Sequence, residues 1–420
     1  MRKPLKTANM ELKKNQYTID GIPVVGLVKK HGSPLYIYES ARMISQYARI
    51  TDAFSSTRVK IYYACKALTN INVLKLFRGL GSGLDAVSVQ EVILGLKAGF
   101  SPRDILYTPN CVSIEEIDEA VELGVRINID NIAVLEEFGH KYGEGVPVCI
   151  RINPHVMAGG HHKISTGHID SKFGISIYQL PHVHRIVEAN QMKVEGIHMH
   201  TGSDILDVEV FLRATEIMFE TAKQFHDLEY LDFGSGFKVP YRGDDVETDV
   251  EQMGEHLSAR FNQFCQEYGK ELTLVFEPGK FLVSEAGYFV ARVNVIKQTT
   301  STVFAGLDTG LNHFIRPMFY DAYHEIINVS KVGGKTRIYT VVGYICETDT
   351  FGWNRKITEA SEGDFLLFRN AGAYCYAMSS NYNSRFRPAE VLIHEGKDYL
   401  IREREDMEDL LRKQREMDIL

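Results

Sequence analysis

The sequence predicts an α/β protein, a (β/α)8 TIM barrel followed by a C-terminal antiparallel β domain, and three observations carry that expectation. From residue 59 onward short apolar runs alternate with amphipathic stretches, the pattern of parallel strands separated by crossover helices. Eight such runs occur before residue 280, the number that closes a barrel; a doubly wound sheet is the alternative, and the count favours the barrel. After about residue 290 alternating strands follow one another without intervening helices, which is the texture of an antiparallel sheet.

The eight runs are 59–64 (VKIYYA), 83–87 (GLDAV), 105–108 (ILYT), 126–129 (RINI), 147–152 (PVCIRI), 194–200 (VEGIHMH), 229–233 (EYLDF) and 273–277 (TLVFE). Between them lie amphipathic segments such as Val89–Leu96, Ile114–Leu123 and Val208–Phe225, and several stop at a glycine, Gly99 or Gly124, as helix ends commonly do. The later strands are ARVNVIKQ, TRIYTVV, FLLFRN and AEVLIHE, and Glu403–Leu420 reads as a surface helix. Before the barrel, PLYIYES reads as one more strand, able to pass behind the barrel into the β domain. The expected organisation is therefore an N-terminal segment (1–44) joining the β domain, a barrel (45–288), and the β domain with its terminal helix (289–420).

Bulk composition narrows the function. A chain of 420 residues exceeds one ordinary core, and 44% hydrophobic with 24% charged residues is typical of soluble globular proteins. A net charge of −8 without any basic stripe excludes a nucleic-acid footprint. The N-terminal MRKPLKTANMELKKNQ lacks an apolar h-region, and no apolar run approaches a membrane span. Six scattered cysteines form no CxxC pair, so neither a disulfide framework nor a zinc knuckle is indicated and a reducing cytoplasm is expected.

In a barrel the C-terminal strand ends form the active face, and polar residues gather there. Strand one ends at Lys66, strand two carries Asp85, and strand five carries Arg151. Strand six ends in HMHTGS with His198, His200 and Ser203, strand seven runs into FGSGF, and strand eight ends in EPGK with Glu277. Each has a plain explanation alone: Lys66 could be a snorkelling surface charge, as Lys60 and Lys97 are read to be, and the glycine loop a tight βα turn. The HMH pair could also ligate zinc. The loop histidines His155, His161, His162 and His168 lack i,i+4 spacing, no carboxylate pattern completes a set, and no metal is expected. A lysine amine, a glycine loop able to cradle phosphate, a histidine and a carboxylate together point to pyridoxal 5'-phosphate.

The ordered motifs YYACKA, SGLDAVSVQEV, YTPNCVS, RINP, HHKISTGHIDSKFGI, HMHTGSDI, DFGSGF, EPGK, LNHFIRPMFYDAYHEI, CETDTF and GAYCYAM span nearly the whole chain. In them the sequence resembles the pyridoxal-phosphate decarboxylases of the alanine-racemase-like barrel class, and within that class the branch acting on meso-2,6-diaminopimelate. The resemblance implies release of CO2 and L-lysine, the last step of lysine biosynthesis. By the same resemblance Lys66 is the lysine that takes the cofactor aldehyde, its pKa depressed by burial near a positive neighbour. His200 stacks on the ring, with His198 packed behind it. Ser203, Gly234, Ser235 and Gly236 hold the phosphate. Glu277 meets the pyridine nitrogen, and Pro278, Gly279 and Lys280 continue that cofactor-binding turn. Arg151 sits near the ring's phenolic oxygen or forms a structural salt bridge, and Asp85 orients a neighbour.

From the β domain the resemblance assigns Cys346 as the acid that protonates the product carbanion and Glu347 as the group taking the distal ammonium. Tyr374 touches cofactor and substrate. Arg316 and Tyr320, with Lys280, grip the distal carboxylate. The CETD stretch enters a neighbouring subunit's site, implying a homodimer with shared sites. One departure stands out: the family has arginine where this chain has Lys280. The rival reading within the class is a sister decarboxylase acting on ornithine, arginine, lysine or carboxynorspermidine. Beyond it stand a non-catalytic relative, which the presence of Lys66, Glu277 and Cys346 opposes, and a zinc hydrolase.

Overall fold

The computed structural model describes residues 10–156, 171–200, 202 and 208–417; Ser203 and the loop histidines His161, His162 and His168 lie outside the described residues. Its eight barrel strands are β1 (Val59–Ala64), β2 (Gly83–Ala86), β3 (Ile105–Tyr107), β4 (Arg126–Ile129), β5 (Val148–Asn153), β6 (Val194–Met199), β7 (Tyr230–Asp232) and β8 (Thr273–Phe276). They match the sequence reading to within about one residue at each end. Each strand pairs in parallel with its neighbours in chain order, β4 pairs with β5, and β8 returns to β1, so the sheet is closed. Closure explains why the runs were legible: with both faces covered, a parallel strand is apolar throughout, and Leu84, Ile105, Ile127, Ile150 and Ile197 are all fully buried.

The crossovers carry their own punctuation. The helix Val89–Ala98 starts at Ser88, whose side chain accepts the Glu91 N–H while Glu91 takes the Val87 N–H, a reciprocal cap. It ends at Gly99, at φ +91°. The long helix Val250–Tyr268 is capped by Asp249 and closed by Gly269. Together these elements make one compact unit, Gln46–Pro240 with Val246–Leu282.

The second unit is assembled from both ends of the chain: residues up to Ser45, the insert Tyr241–Asp245, and everything from Val283 on. In its sheet the strand Leu35–Glu39 is interior, antiparallel to Gly287–Gln298 on one side and parallel to Ala389–His394 on the other. Leu35, Ile37, Tyr288, Val290, Leu367, Val391 and Ile393 form its core. Most of its pairs are antiparallel, as expected, and the sheet is mixed because Val303–Leu307 and Thr336–Val342 are also parallel. Alternation reveals which face a residue occupies but not the direction of the partner strand.

The terminal helix is also shorter than expected. Only Met407–Leu411 is helical, started by an Asp406–Asp409 capping box. Of its apolar residues Leu410 is partly buried while Met407 and Leu411 stay exposed, and a helix with so little packed face is marginal at this length. Among the described residues no helix is long and apolar enough to cross a membrane.

Candidate active site

In the barrel unit the strand ends bring five of the named residues into one cluster. Lys66 lies in a single 3-10 turn, Cys65–Ala67, directly after β1. Its Nζ donates to Asp85 Oδ2 at 2.6 Å, and Asp85 is wholly buried. The lysine thus stands against an acid, where the sequence reading expected a positive neighbour. Burial and the nearby Glu277 charge raise Asp85 to about 7 even though Lys66 pulls it down. A carboxylate poised there can take a proton from the ammonium and leave a neutral amine.

Glu277 follows β8. Its backbone N–H donates to the Gly234 carbonyl at 2.6 Å, Thr108 Oγ1 donates to Oε1 at 3.4 Å, and His198 Nε2–H donates to Oε2 at 3.1 Å. Burial alone would push this acid up. The hydrogen bond and charge of its partner His198, with Lys66 and His200 nearby, outweigh that and hold it at about 2. Glu277 is therefore ionised whenever the protein is folded near neutrality.

The glycine turn is built around His200. Gly234 has φ +62°, and a Cβ there would sit 2.6 Å from His200 Nδ1, so only glycine permits the approach. The Ser235 N–H donates to the same Nδ1 at 3.2 Å, which leaves the ring proton on Nε2. Burial and the Arg151 charge keep this histidine neutral, lowering it to about 3. Two N–H groups of the proposed phosphate cradle are consequently already engaged, Ser235 with His200 and Gly234 with Asp232 Oδ1 at 2.8 Å. Gly236, at φ +119°, completes the turn. The Pro278 carbonyl accepts the Ala64 N–H at 3.3 Å, and a Cβ on Gly279 would press on Ala67 at 3.1 Å. The EPGK turn is thereby fastened to the end of β1 next to Lys66, and Lys280 opens the short helix Lys280–Val283. Arg151, buried on β5, lies over the Phe173 ring at 4.8 Å, and burial lowers its pKa against the pull of Asp130 and Glu277.

The β domain holds the remaining named residues. Arg316 is buried at the start of the helix Arg316–Phe319, 5.6 Å above both the Tyr241 and the Tyr320 rings, and its Nη2 donates to Tyr241 Oη at 3.4 Å. Tyr374 adopts φ +57° beyond Gly372, where a Cβ would fall 1.7 Å from the Val283 carbonyl oxygen. Cys346 and Glu347 are exposed. Their loop is pinned by Asp349, whose Oδ2 accepts the N–H groups of Ile345 and Leu311 at 3.1 and 3.3 Å. Asn383 reaches the Cys346 sulfur at 3.7 Å, and Tyr382 donates to Glu347.

Sequence reasoning missed Asp232 and Thr108 and set His198 aside as packing. The available signal was an acid ending an otherwise apolar run, YLDF. Among the described residues His198, Asp232 and Glu277 are the one group with ligand-like spacing, their polar atoms within 4.8 Å of one another. His200 is not part of it, so the HMH pair does not converge as two ligands. The donor set at these strand ends, the Lys66 amine, ionised Glu277 and neutral His200 beside a glycine turn, fits a large polar group such as pyridoxal phosphate.

Residues 40–284 match the family model of the pyridoxal-dependent decarboxylase pyridoxal-binding domain. The chain is 39% identical to the diaminopimelate decarboxylase of Methanothermobacter thermautotrophicus, with 96% of each chain covered. It is 34% identical to that of Haemophilus influenzae, covering 95% of this chain and 97% of the other. The crystal structure of diaminopimelate decarboxylase from M. jannaschii superposes with a TM-score of 0.89 at 31% identity, over 97% of this chain and 98% of that one. A lysine/ornithine decarboxylase from Vibrio vulnificus, at 22% identity and a TM-score of 0.77, shares the fold.

Proposed function

The chain belongs to the pyridoxal-dependent decarboxylases, and from that premise we propose that it converts meso-2,6-diaminopimelate to L-lysine and CO2. The observation that carries the chemistry is Glu277, a buried acid held ionised by His198 in the same strand-end cluster as Lys66. Near-full-length similarity to relatives named diaminopimelate decarboxylase supports the substrate.

Pyridoxal phosphate, when bound, supplies an electron sink for the bonding pair released as the carboxylate leaves. Lys66 would attach it, with Asp85 taking the ammonium proton so that the amine can react. Glu277 would hold a proton on the pyridine nitrogen. A cationic arginine there would repel that proton, so this position favours decarboxylation over racemisation. His200, neutral and fixed by Ser235, would lie on the ring face, and Arg151 would face the phenolic oxygen. Gly234, Ser235 and Gly236, with Ser203, would hold the phosphate.

Arg316 and Tyr320 would grip the distal carboxylate, where a guanidinium fork offers two parallel hydrogen bonds. Glu347 would take the distal ammonium, Tyr374 would contact cofactor and substrate, and Cys346 would deliver the proton that replaces CO2. Cys346 and Glu347 face solvent in the single chain, as side chains completing another subunit's site would, so we assign a homodimer with shared sites. Lysine biosynthesis and six free cysteines fit a cytoplasmic enzyme.

An absorption spectrum of the purified protein before and after diaminopimelate, with lysine and CO2 quantified, tests the proposal. A cofactor band that shifts on addition, with the two products in equal amounts, supports it. A spectrum indifferent to diaminopimelate, with no CO2, defeats it. Lys280 is the one feature favouring a sister diamino-acid decarboxylase, and ornithine and lysine belong in the same assay.

A further inference from the structure

Glu277 is the front member of a buried group. His198 on β6 and Asp232 on β7 are cross-strand partners in register, and β8, which leads into Glu277, is the next strand. Strand pairing therefore fixes the three polar groups within 4.8 Å of one another. Among the described residues the buried atoms of this group without a hydrogen-bond partner are His198 Nδ1, on the ring edge that does not meet Glu277, and Asp232 Oδ2. Asp232 Oδ1 accepts the Gly234 N–H at 2.8 Å, whereas Oδ2 is buried and no donor among the described residues reaches it. A bare ionised oxygen in the interior is costly, and a second anion beside ionised Glu277 is costlier. A hydrogen on Oδ2, directed at Glu277, removes both penalties.

We propose that Asp232 is a neutral carboxylic acid which donates a hydrogen bond to Glu277 and, with His198, acts as a positioning residue that keeps Glu277 ionised and aimed at the cofactor's ring nitrogen. This rests on Glu277 being the partner of that nitrogen. The surrounding charges agree. The titratable groups facing Asp232 are Tyr62 on β1, Asp85 on β2, Cys149 and Arg151 on β5, His198 on β6 and Glu277 after β8. Foremost of these is ionised Glu277, and a second full negative charge within 4.8 Å of it is disfavoured, whereas a hydrogen on Oδ2 is not. Burial, the Glu277 charge and a hydrogen bond to Glu277 all push Asp232 well above the usual carboxylate range.

Asp232→Asn separates the possibilities, because its amide keeps an oxygen for Gly234 and supplies an N–H to Glu277, as the protonated acid does. Asp232→Ala supplies neither. Infrared difference spectra of the folded apoenzyme at neutral pH, wild type against Asp232→Asn, should show loss of one protonated-carboxyl C=O band. Pyridoxal phosphate affinity should stay within about threefold of wild type in Asp232→Asn and weaken about tenfold or more in Asp232→Ala, the scale of one hydrogen bond to a charged group. Glu277→Gln is the control: if it leaves cofactor affinity and absorbance unchanged, the reading of the site itself fails. If Glu277→Gln shifts them while Asp232→Asn loses no band and binds as weakly as Asp232→Ala, the neutral acid is wrong. Stoichiometric zinc binding by the apoenzyme, lost in both Asp232 variants, would also overturn it, since the triad would then be a metal site.

Discussion

The barrel's strand-end cluster and the CETD loop of the β domain are both proposed to carry chemistry, yet the fold treats them in opposite ways. Asp85 and Asp232 are 0% exposed, His198 1% and Glu277 7%; each has its charge set by named neighbours. Cys346 and Glu347 lie in solvent, on a loop whose shape is held by the Asp349 carboxylate, which accepts the backbone N–H groups of Ile345 and Leu311. Groups that must keep a fixed charge toward a permanent cofactor are placed where water cannot relax them. Groups that must meet a substrate that comes and goes sit on the surface, and whatever covers them supplies the environment that makes them reactive.

The strongest way to break this contrast is at its two reactive atoms. Lys66→Ala is expected to abolish turnover and the covalent cofactor band while leaving a folded protein, since the lysine side chain is 40% exposed. Absorbance and activity measured together check it, and a retained band with full turnover would refute the assignment. Cys346→Ala is expected next, with kcat falling roughly 10²–10⁴-fold, the usual contribution of a general acid, and little change in substrate binding. Mixing the two inactive variants under conditions of subunit exchange should restore part of the activity, because one site of the hybrid dimer is intact. If exchange is demonstrated and no activity returns, the exposed loop does not serve a neighbour.

Smaller changes sharpen the comparison. Arg316→Ala should lower kcat/KM for diaminopimelate roughly 10–100-fold, mostly through KM, because a charge-assisted hydrogen bond is worth about 1.5–3 kcal/mol. Lys280→Arg keeps the charge and should change it by about 1 kcal/mol or less in equivalent free energy. Comparable kcat/KM for lysine or ornithine would displace diaminopimelate as the substrate. A separate effect concerns stability rather than turnover. Asp85 titrates at about 7 in the folded chain against roughly 3.9 in an unfolded one. Its contribution is complete below about pH 4 and is lost as pH rises through 7. Apoenzyme urea midpoints for wild type should thus fall relative to Asp85→Asn over that window, and parallel curves would contradict the raised pKa.

How legible was all this? The barrel was readable because closure forces continuous apolar strands such as VCIRIN, and Lys66 and Glu277 interrupt that texture where strands end. Asp232 also interrupts it, but nothing in YLDF tells an acid that caps a turn from one that donates to Glu277; that depends on the register of β6 against β7. The Lys66–Asp85 pair was equally hidden, for neighbouring strand ends meet only after the sheet closes. In the β domain, Leu35–Glu39 was recognisable as a strand, but not its parallel pairing with Ala389–His394, more than three hundred residues away. The terminal helix was overread because a stretch of acidic and basic residues was taken for a long surface helix, and Met407 and Leu411, which could have anchored one, are exposed.

The interior position of Leu35–Glu39 bears on how the molecule is made. On a ribosome that strand emerges early, yet both its partners, Gly287–Gln298 and Ala389–His394, lie beyond the entire barrel in sequence. The barrel pairs strands that follow one another in the chain and can assemble as they appear. Leu35–Glu39 must wait, one hydrogen-bonding edge unsatisfied until Gly287–Gln298 is made and the other until Ala389–His394 follows. Until then it is a stretch of nascent chain prone to wrong pairing, the segment most in need of a chaperone's shelter.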